Sequence, residues 1–184
     1  PLYTGPISIS ATTVIRAIAC APDQLCSAVA GATYFINDSS PVPVVSLYTD
    51  NAYLFDDSTG VMVKGTGRTP NYMKNLQYPC QLEYFDENGQ LGICQMGTFK
   101  IAGKTMRTGK QKSLAVYARK AYGSDTFGYP FFEDRDYDGY SAILLRYTNS
   151  DFKSTRLRDA ALQELAKGLG LYYQAGKVIQ VYLN

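Results

Sequence analysis

The chain has 184 residues, with 18 Lys and Arg against 16 Asp and Glu, so its formal net charge is only +2. It contains no histidine, which excludes a Ser-His-Asp or Cys-His catalytic arrangement within the chain and limits any zinc site to cysteine and carboxylate ligands. The apolar fraction of 46% and the charged fraction of 18% argue against disorder.

The first part of the chain predicts short β-strands. Ile7–Ser10 and Thr13–Ala19 alternate with the strand period, and Ser27–Ile36 resembles a third strand. A turn-rich Asn-Asp-Ser-Ser-Pro-Val-Pro segment follows and marks a module boundary. Because three short strands seldom bury enough surface to stand alone, we interpret residues 1–40 as the C-terminal remnant of a β-sandwich-like module and residues 41–184 as a second unit.

The second unit predicts an α+β fold that is mostly antiparallel β with one clear helix. The helix is expected over 155–168, with an apolar stripe of leucines and with Gly168 as its C-terminal stop. Asp50 is a suitable N-cap for a short helix that ends at Phe55. The predicted strands are Val44–Tyr48, Val61–Lys64, Cys80–Phe85, Leu91–Met96, Thr98–Ile101, Ser113–Arg119, Ala142–Tyr147 and Val178–Asn184.

Four cysteines are present, and none forms a Cys-x-x-Cys pair, which disfavours metal and redox motifs. Cys20 and Cys26 flank a probable turn and are close enough in sequence to be bridged. Cys80 and Cys94 flank an Asn-Gly hairpin turn. A two-residue loop puts these two cysteines three pairs out of step, and a three-residue loop with Gly89 as a bulge puts them on the same face of the hairpin. Neither loop allows a disulfide, so we expect both thiols to be free.

Positive charge is concentrated in the segment between Glu87 and Asp125, which contains no acidic residue. The seven cations in it are Lys100, Lys104, Arg107, Lys110, Lys112, Arg119 and Lys120. Such local charge in a nearly neutral chain favours an anionic partner, and two glycines let the backbone turn tightly beside an anion. Phosphate is the candidate anion, with Lys112 and Arg107 as its contacts. A solvated loop between two strands explains the same pattern, and a lysine at a strand edge also blunts aggregation.

Three further features have weaker functional interpretations. Arg146 is a lesser candidate phosphate contact. Arg158 and Asp159 lie in the first turn of the predicted helix, where a structural ion pair is a simpler explanation than chemistry. The acidic run Glu133–Asp138 could hold a cation, but it lacks the spacing of an EF-hand loop and is better explained as a solvated loop. Nucleic acid is disfavoured because the cations occur without a broader basic face.

An ordered series of segments resembles the CotH-type (spore coat protein H) atypical protein kinase family. It begins with Pro43-Val-Val-Ser-Leu-Tyr-Thr-Asp and includes Gln111-Lys-Ser-Leu-Ala-Val-Tyr-Ala-Arg-Lys-Ala-Tyr-Gly. It ends with Val178-Ile-Gln-Val-Tyr-Leu-Asn and covers roughly residues 42–184. The first segment resembles the end of a chitobiase C-terminal-type β module, which often precedes CotH-type domains in bacterial surface proteins.

The resemblance implies a fragment of a secreted or cell-envelope kinase that transfers the γ-phosphoryl group of ATP, with Mg²⁺, to Ser or Thr of a protein substrate. Residues 41–184 would be the N-terminal, nucleotide-lobe-like portion of that domain, with no membrane span. The chain departs from the family where Ala102-Gly103 replaces a usual His-Gly, and the family's metal-binding acidic residues lie further along. The alternative function is a non-catalytic extracellular module for adhesion or glycan binding.

From this resemblance we expect the chain by itself to lack kinase activity and to bind no cofactor stably, because we interpret it as truncated at both ends. Incubation with ATP, Mg²⁺ and a generic protein substrate should release no product above background. Metal-dependent ATP turnover by the isolated chain would contradict this expectation.

Overall fold

Twelve regular elements make up the computed structural model, which describes residues 2–147, 151 and 154–184. The strands are β1 Thr13–Ala17, β2 Ala30–Tyr34, β3 Val44–Tyr48, β4 Gln77–Phe85, β5 Leu91–Ile101, β6 Leu114–Ala118, β7 Phe127–Gly128, β8 Gly139–Tyr140, β9 Ala142–Leu145 and β10 Gln180–Leu183. The helices are α1 Asn51–Phe55 and α2 Arg158–Gly168, and single 3₁₀ turns occur at Asn71–Met73, Thr105–Thr108 and Lys120–Tyr122.

Within the described residues, six strands form one sheet in the order β10-β3-β4-β5-β6-β9. All neighbours are antiparallel except β10, which pairs in parallel with β3. Two further strand pairs, β1–β2 and β7–β8, are separate two-stranded units. The mostly antiparallel α+β architecture is therefore confirmed.

One face of the sheet carries the main hydrophobic core. Side chains alternate along each strand, so every second residue of β3, β4, β5 and β6 points to this face. The strands supply Val45, Leu47, Cys80, Leu82, Tyr84, Phe99, Ile101, Leu114, Val116 and Ala118 to the core. Leu54 of α1, Val61, Phe127 and Phe131 cover them from the loops. Burial, which raises the pKa of the Cys80 thiol to about 12, keeps it protonated at neutral pH.

The long β4–β5 hairpin contains two irregularities that decide which way its cysteines face. Its loop has three residues, with Gly89 at φ +74° and the Asp86 carboxylate accepting the N–H groups of Asn88 and Gln90. A second irregularity, one extra residue at Gly92, shifts the register so that Cys94 pairs with Glu83. An added Cβ at Gly92 would lie 2.5 Å from the Tyr129 ring, so only glycine fits there.

The loop has three residues, but the bulge prevents the same-face placement that this alternative implied and leaves the two cysteines three pairs out of step, as the two-residue alternative implied. Cys80 pairs with Gly97 and lies in the core, whereas Cys94 is exposed on the opposite face. Both thiols are free, as predicted. Cys20 and Cys26 form the disulfide that their spacing allows.

Strand β3 is buried on both faces because the β1–β2 hairpin covers the second face of the sheet. The Thr33 N–H donates to Oε2 of Glu83 over 3.0 Å, and the Thr33 hydroxyl lies 2.7 Å from that of Ser46. Glu83 is only 2% exposed, and no Lys or Arg of the described chain forms an ion pair with it. At the end of the hairpin, the Phe35 ring packs edge-on against Phe85.

Several predicted elements differ in the structure. Val44–Tyr48 forms as predicted, and the Asp50 carboxylate caps α1 by accepting the Ala52 N–H. Ile7–Ser10 and Val61–Lys64 do not form strands. The Val61 N–H instead donates to the Tyr53 carbonyl, and the Met62 N–H donates to the Leu54 carbonyl, both in α1. Val61 lies in the core.

Helix α2 forms, but its leucine stripe does not face the protein. It begins at Arg158 and ends through Gly170, whose φ of +70° permits a left-handed turn one residue after the C-cap. Leu162, Leu165 and Leu169 are 57%, 59% and 66% exposed. None of the helix residues is buried, so apolar burial does not hold this helix in place.

The opposite side of α2 makes polar contacts with the rest of the chain. Asp159, Gln163 and Lys167 recur every four residues and therefore share one face. They contact Arg146, the Gln174 N–H and Asp134 respectively. The leucine stripe of α2 thus faces solvent, and its polar side contacts the rest of the chain. No helix of the described residues has the length and apolar content needed to cross a membrane.

Replacing Glu83 tests the link between the hairpin and the sheet. Glu83→Ala leaves the Thr33 N–H without its acceptor, and we expect a loss of about 1–3 kcal/mol in the free energy of unfolding. Amide exchange in β1 and β2 should accelerate more than exchange in β5 and β6. Glu83→Gln keeps an acceptor oxygen and should cost less, and Glu164→Ala on the exposed side of α2 serves as the control. Unchanged hairpin protection in Glu83→Ala would contradict the assignment.

Candidate functional site

The basic loop, residues 102–113, connects β5 to β6 at one end of the sheet. It closes with a hydrogen bond from the Ala102 N–H to the Ser113 carbonyl and contains the 3₁₀ turn Thr105–Thr108. Gly103 has φ +85°, and a Cβ there would have no atom within 4 Å, so the backbone conformation alone requires glycine. The loop carries four of the seven cations of the acid-free segment.

Arg107 ties the basic loop to a neighbouring segment through backbone carbonyls. Its Nε donates to the Gly103 carbonyl over 2.6 Å, and Nη1 donates to the Lys74 carbonyl over 3.4 Å. These contacts fix the direction of the guanidinium group without neutralising its charge, because a carbonyl oxygen carries only a partial charge. Arg107 is half-buried.

Lys112 is held in a similar way at the other end of the loop. Its Nζ donates to the Gly109 carbonyl over 2.6 Å and lies 4.7 Å from the centre of the Tyr72 ring. Burial lowers the pKa of the Lys112 ammonium, since desolvation penalises the charged form. Arg107 and Lys112, both predicted as phosphate contacts, therefore contact the same neighbouring segment.

That segment is the 71–74 turn, which the sequence did not reveal as part of the site. Asn71 is 1% exposed and donates from Nδ2 to the Asp57 carbonyl over 2.9 Å. Lys74 Nζ donates to Asn71 Oδ1 over 2.6 Å, which adds a further cation beside the loop. A Cβ at Gly65 would lie 2.6 Å from Asn71 Nδ2, so a glycine is needed for this contact. In the sequence this region shows only as an irregular polar connection.

Among the residues that the structure describes, the seven cations of the acid-free segment have no carboxylate partner. The ion pairs in the described part of the chain join Arg146, Arg158, Lys167 and Lys177 to acids, and none involves a cation of the acid-free segment. Lys100 and Arg119 instead lie over the ring of Tyr117 on the open face of the sheet. The end of the sheet around the basic loop thus carries uncompensated positive charge, which attracts anions.

Arg146 lies at the same end of the sheet but has a different partner. Leu114 pairs with Leu145, so Arg146 directly follows the last strand pair and is close to the basic loop. Its guanidinium forms an ion pair with Asp159. The third predicted phosphate contact thus lies near the end of the basic loop that precedes β6, and its ion pair contacts the start of α2.

Asp151 organises the turn that leads into α2. Its carboxylate accepts hydrogen bonds from Ser154, from the Thr155 hydroxyl and from the Arg158 N–H. These bonds hold the pKa of the Asp151 carboxyl well below its ordinary value. The Arg158 guanidinium adds an ion pair at 3.3 Å. Arg158 and Asp159 thus both serve structural ion pairs, in line with the simpler of the two interpretations.

The acidic run Glu133–Asp138 also makes intramolecular contacts. Asp134 accepts from the Tyr173 hydroxyl over 2.6 Å and pairs with Lys167 at 2.9 Å. The Arg135 guanidinium lies 4.4 Å from the centre of the Tyr173 ring. Among the described residues, no group of three His, Cys, Asp or Glu side chains gathers as a metal site.

Comparisons of the chain with protein-family models, with curated proteins and with solved structures give no match.

Acid titration tests how Asp134 holds the α2 segment. Hydrogen bonds from Tyr173 and Lys167 lower the pKa of Asp134 to about 2, from an ordinary value of 3.8. Because the folded-state pKa of Asp134 is lowered, its carboxylate contributes to the free energy of unfolding. That contribution is complete above pH 3.8 and is lost as the pH falls through about 2. We expect the NMR signals of the Tyr173 ring to shift with a midpoint near pH 2.

The Asp134→Asn variant should lose this transition at Tyr173, and Asp136→Asn should keep it. A midpoint near the ordinary carboxyl value in the unmodified chain would show that the Tyr173–Asp134 contact does not form in solution.

Proposed function

We propose that the basic loop binds the phosphate groups of a nucleotide. The observation that carries the proposal is the set of four cations in one loop, which a second segment supports and for which the described part of the chain supplies no carboxylate partner. Phosphate oxygens are strong acceptors, and guanidinium and ammonium groups are their usual partners in proteins. The carbonyl contacts of Arg107 and Lys112 support the proposal because they orient both cations before a ligand arrives.

The proposal extends to the class of protein. In line with its resemblance, we propose that residues 41–184 are the nucleotide-lobe-like portion of a CotH-type kinase domain and that residues 1–40 are the end of a preceding β module. The intact protein would then use ATP and Mg²⁺ to phosphorylate Ser or Thr of a protein substrate. Phosphoryl transfer requires cations on the phosphates and carboxylates on the metal.

The described residues suit only the first of these two requirements. Arg107 and Lys112 both contact the 71–74 turn, to which Lys74 belongs. The Glu133, Asp134 and Asp151 carboxylates, in contrast, bind basic or hydroxyl side chains of this chain. They do not form a carboxylate set for Mg²⁺. In this proposal the chain orients and neutralises the phosphates, and no transfer step is assigned to its residues.

We also propose an extracellular or cell-envelope location. The Cys20–Cys26 disulfide supports it, because disulfides persist mainly in oxidising compartments.

Anion titration at low ionic strength tests the phosphate site. We expect ATP and inorganic tripolyphosphate to bind weakly, with affinity that falls steeply as salt is added. Lys104 and Lys110 are exposed, and neither side chain contacts another side chain in the part of the chain that the structure describes. Lys104→Gln/Lys110→Gln should therefore weaken binding about five- to tenfold without unfolding. Chemical-shift perturbation should centre on the basic loop and the 71–74 turn.

A matched double variant separates local contact from general charge. Arg119→Gln/Lys120→Gln removes two charges at the other end of β6 and should change the affinity less than twofold. Equal losses in the two double variants, or no binding of either polyphosphate, would refute the phosphate site. Binding of an acidic polysaccharide in place of ATP at the same loop would support the glycan-binding alternative.

A further inference from the structure

The side of the six-stranded sheet opposite the main core is uncovered, in the described part of the chain, over β5, β6 and β9; we call this part the open face. The β1–β2 hairpin covers the same side over β3 and β4. Because side chains alternate along a strand, Thr98, Lys100, Tyr117 and Arg119 lie on the open face, and the residues between them enter the core. Leu144 of β9 shares that face and is 48% exposed. Strands β3 and β4 separate the open face from β10 and the end of the chain.

Two cations of the open face lie over one aromatic ring. Lys100 Nζ is 5.4 Å and Arg119 Cζ is 4.9 Å from the centre of the Tyr117 ring, distances at which a cation is attracted to the ring. Tyr117 pairs with Thr98, so Lys100 is displaced from the ring toward the start of β6, and Arg119 is displaced toward its end. A linear ligand that follows β6 would therefore meet one cation on each side of Tyr117.

Arg119 is also oriented by a hydrogen bond. Its Nε donates to Thr98 Oγ1 over 3.2 Å, and Gln77 Nε2 donates to the same oxygen over 2.6 Å. Within the described residues, the two Nη groups of Arg119 form no hydrogen bond or ion pair. These two groups can bind a carboxylate through two parallel hydrogen bonds, and the Nε contact holds them in place before a ligand arrives.

The construction of the open face decides which class of ligand it suits. A sheet face is flat, whereas small-molecule sites are concave, so an extended ligand fits better. An extended peptide adds to a sheet through free backbone groups at an edge. Strand β5 pairs with β4 and β6, and β6 pairs with β5 and β9, so the backbone groups beneath the two cations are already used. A ligand of the open face must therefore be recognised by side chains.

Single-stranded nucleic acid is also recognised by side chains, but it stacks successive bases on aromatic rings. Tyr117 is the one aromatic side chain that β5, β6 and β9 present on the open face, and two cations already lie over it. A linear polysaccharide needs no such stacking, since its hydroxyl groups can bond to neutral amide and hydroxyl side chains. Gln77 and Thr98 supply these groups beside the cations.

We propose that the open face binds a linear acidic polysaccharide, with one carboxylate on Arg119, another on Lys100 and sugar hydroxyl groups on the neighbouring amide and hydroxyl side chains. The site shares no residue with the proposed phosphate contacts of the basic loop. The two proposals are therefore independent, and either can fail without the other.

The test is an NMR titration of the labelled chain, at physiological ionic strength, with an oligogalacturonate and with a neutral malto-oligosaccharide of the same length. We expect the oligogalacturonate to shift the signals of Tyr117 and of Arg119 Nε, and to bind about tenfold or more tightly than the neutral sugar. Arg119→Gln should weaken this binding about five- to tenfold, because it removes the charged pair of donors. Lys120→Gln removes the same charge one residue further along, in the 3₁₀ turn after β6, and should change the affinity less than about twofold.

Two substitutions of Tyr117 separate the arrangement of the cations from their charge. Tyr117→Leu leaves the net charge unchanged and removes the ring that holds Lys100 and Arg119, so the affinity should fall about threefold or more. Tyr117→Phe keeps the ring and should bind normally. Circular dichroism and the melting temperature of both variants check that the sheet remains folded.

The outcomes that contradict the proposal fall into two groups. Poly-glutamate, a single-stranded oligonucleotide or the neutral sugar binding the open face as tightly as the oligogalacturonate would overturn the ligand class. Unchanged affinity in Arg119→Gln, equal losses in Arg119→Gln and Lys120→Gln, or shifts confined to the basic loop would overturn the site. Lys104→Gln/Lys110→Gln should bind the oligogalacturonate normally, which distinguishes this result from the phosphate test.

Discussion

Burial of strand β3 on both of its faces is the constraint on which the rest of the structure depends. Val45 and Leu47 enter the main core, and Ser46 and Tyr48 lie under the N-terminal hairpin. Loops cover one face of β3, and the β1–β2 hairpin covers the other. Polar groups buried between the hairpin and the sheet need hydrogen-bond partners. Glu83 meets that need by accepting a backbone N–H from the hairpin.

Acidic and basic residues are segregated in the structure as well as along the chain. Asp134 pairs with Lys167 of α2, and Asp159 of α2 pairs with Arg146, so ion pairs attach the helix while its leucines stay exposed. Among the described residues, no cation of the acid-free segment has such a partner. The four cations of the basic loop therefore concentrate positive charge at one end of the sheet, although the net charge of the chain is only +2.

The proposed phosphate site depends on cations that backbone carbonyls orient. Arg107 and Lys112 each donate to a carbonyl, and no carboxylate of the described residues neutralises either side chain. A cation positioned in this way has lost part of its conformational freedom before a ligand binds, so less entropy is lost on binding.

The sequence by itself determined the mostly antiparallel α+β class, the strand Val44–Tyr48, the Asp50 cap and the acid-free basic segment, because these depend on local periodicity, capping and composition. Tertiary structure decided the opposite facing of Cys80 and Cys94, since one bulged residue at Gly92 reverses every side chain beyond it. It also decided that the helical leucines face outward and that the 71–74 turn supports the basic loop. Each of these depends on contacts between segments far apart in the chain, which periodicity along one segment does not encode.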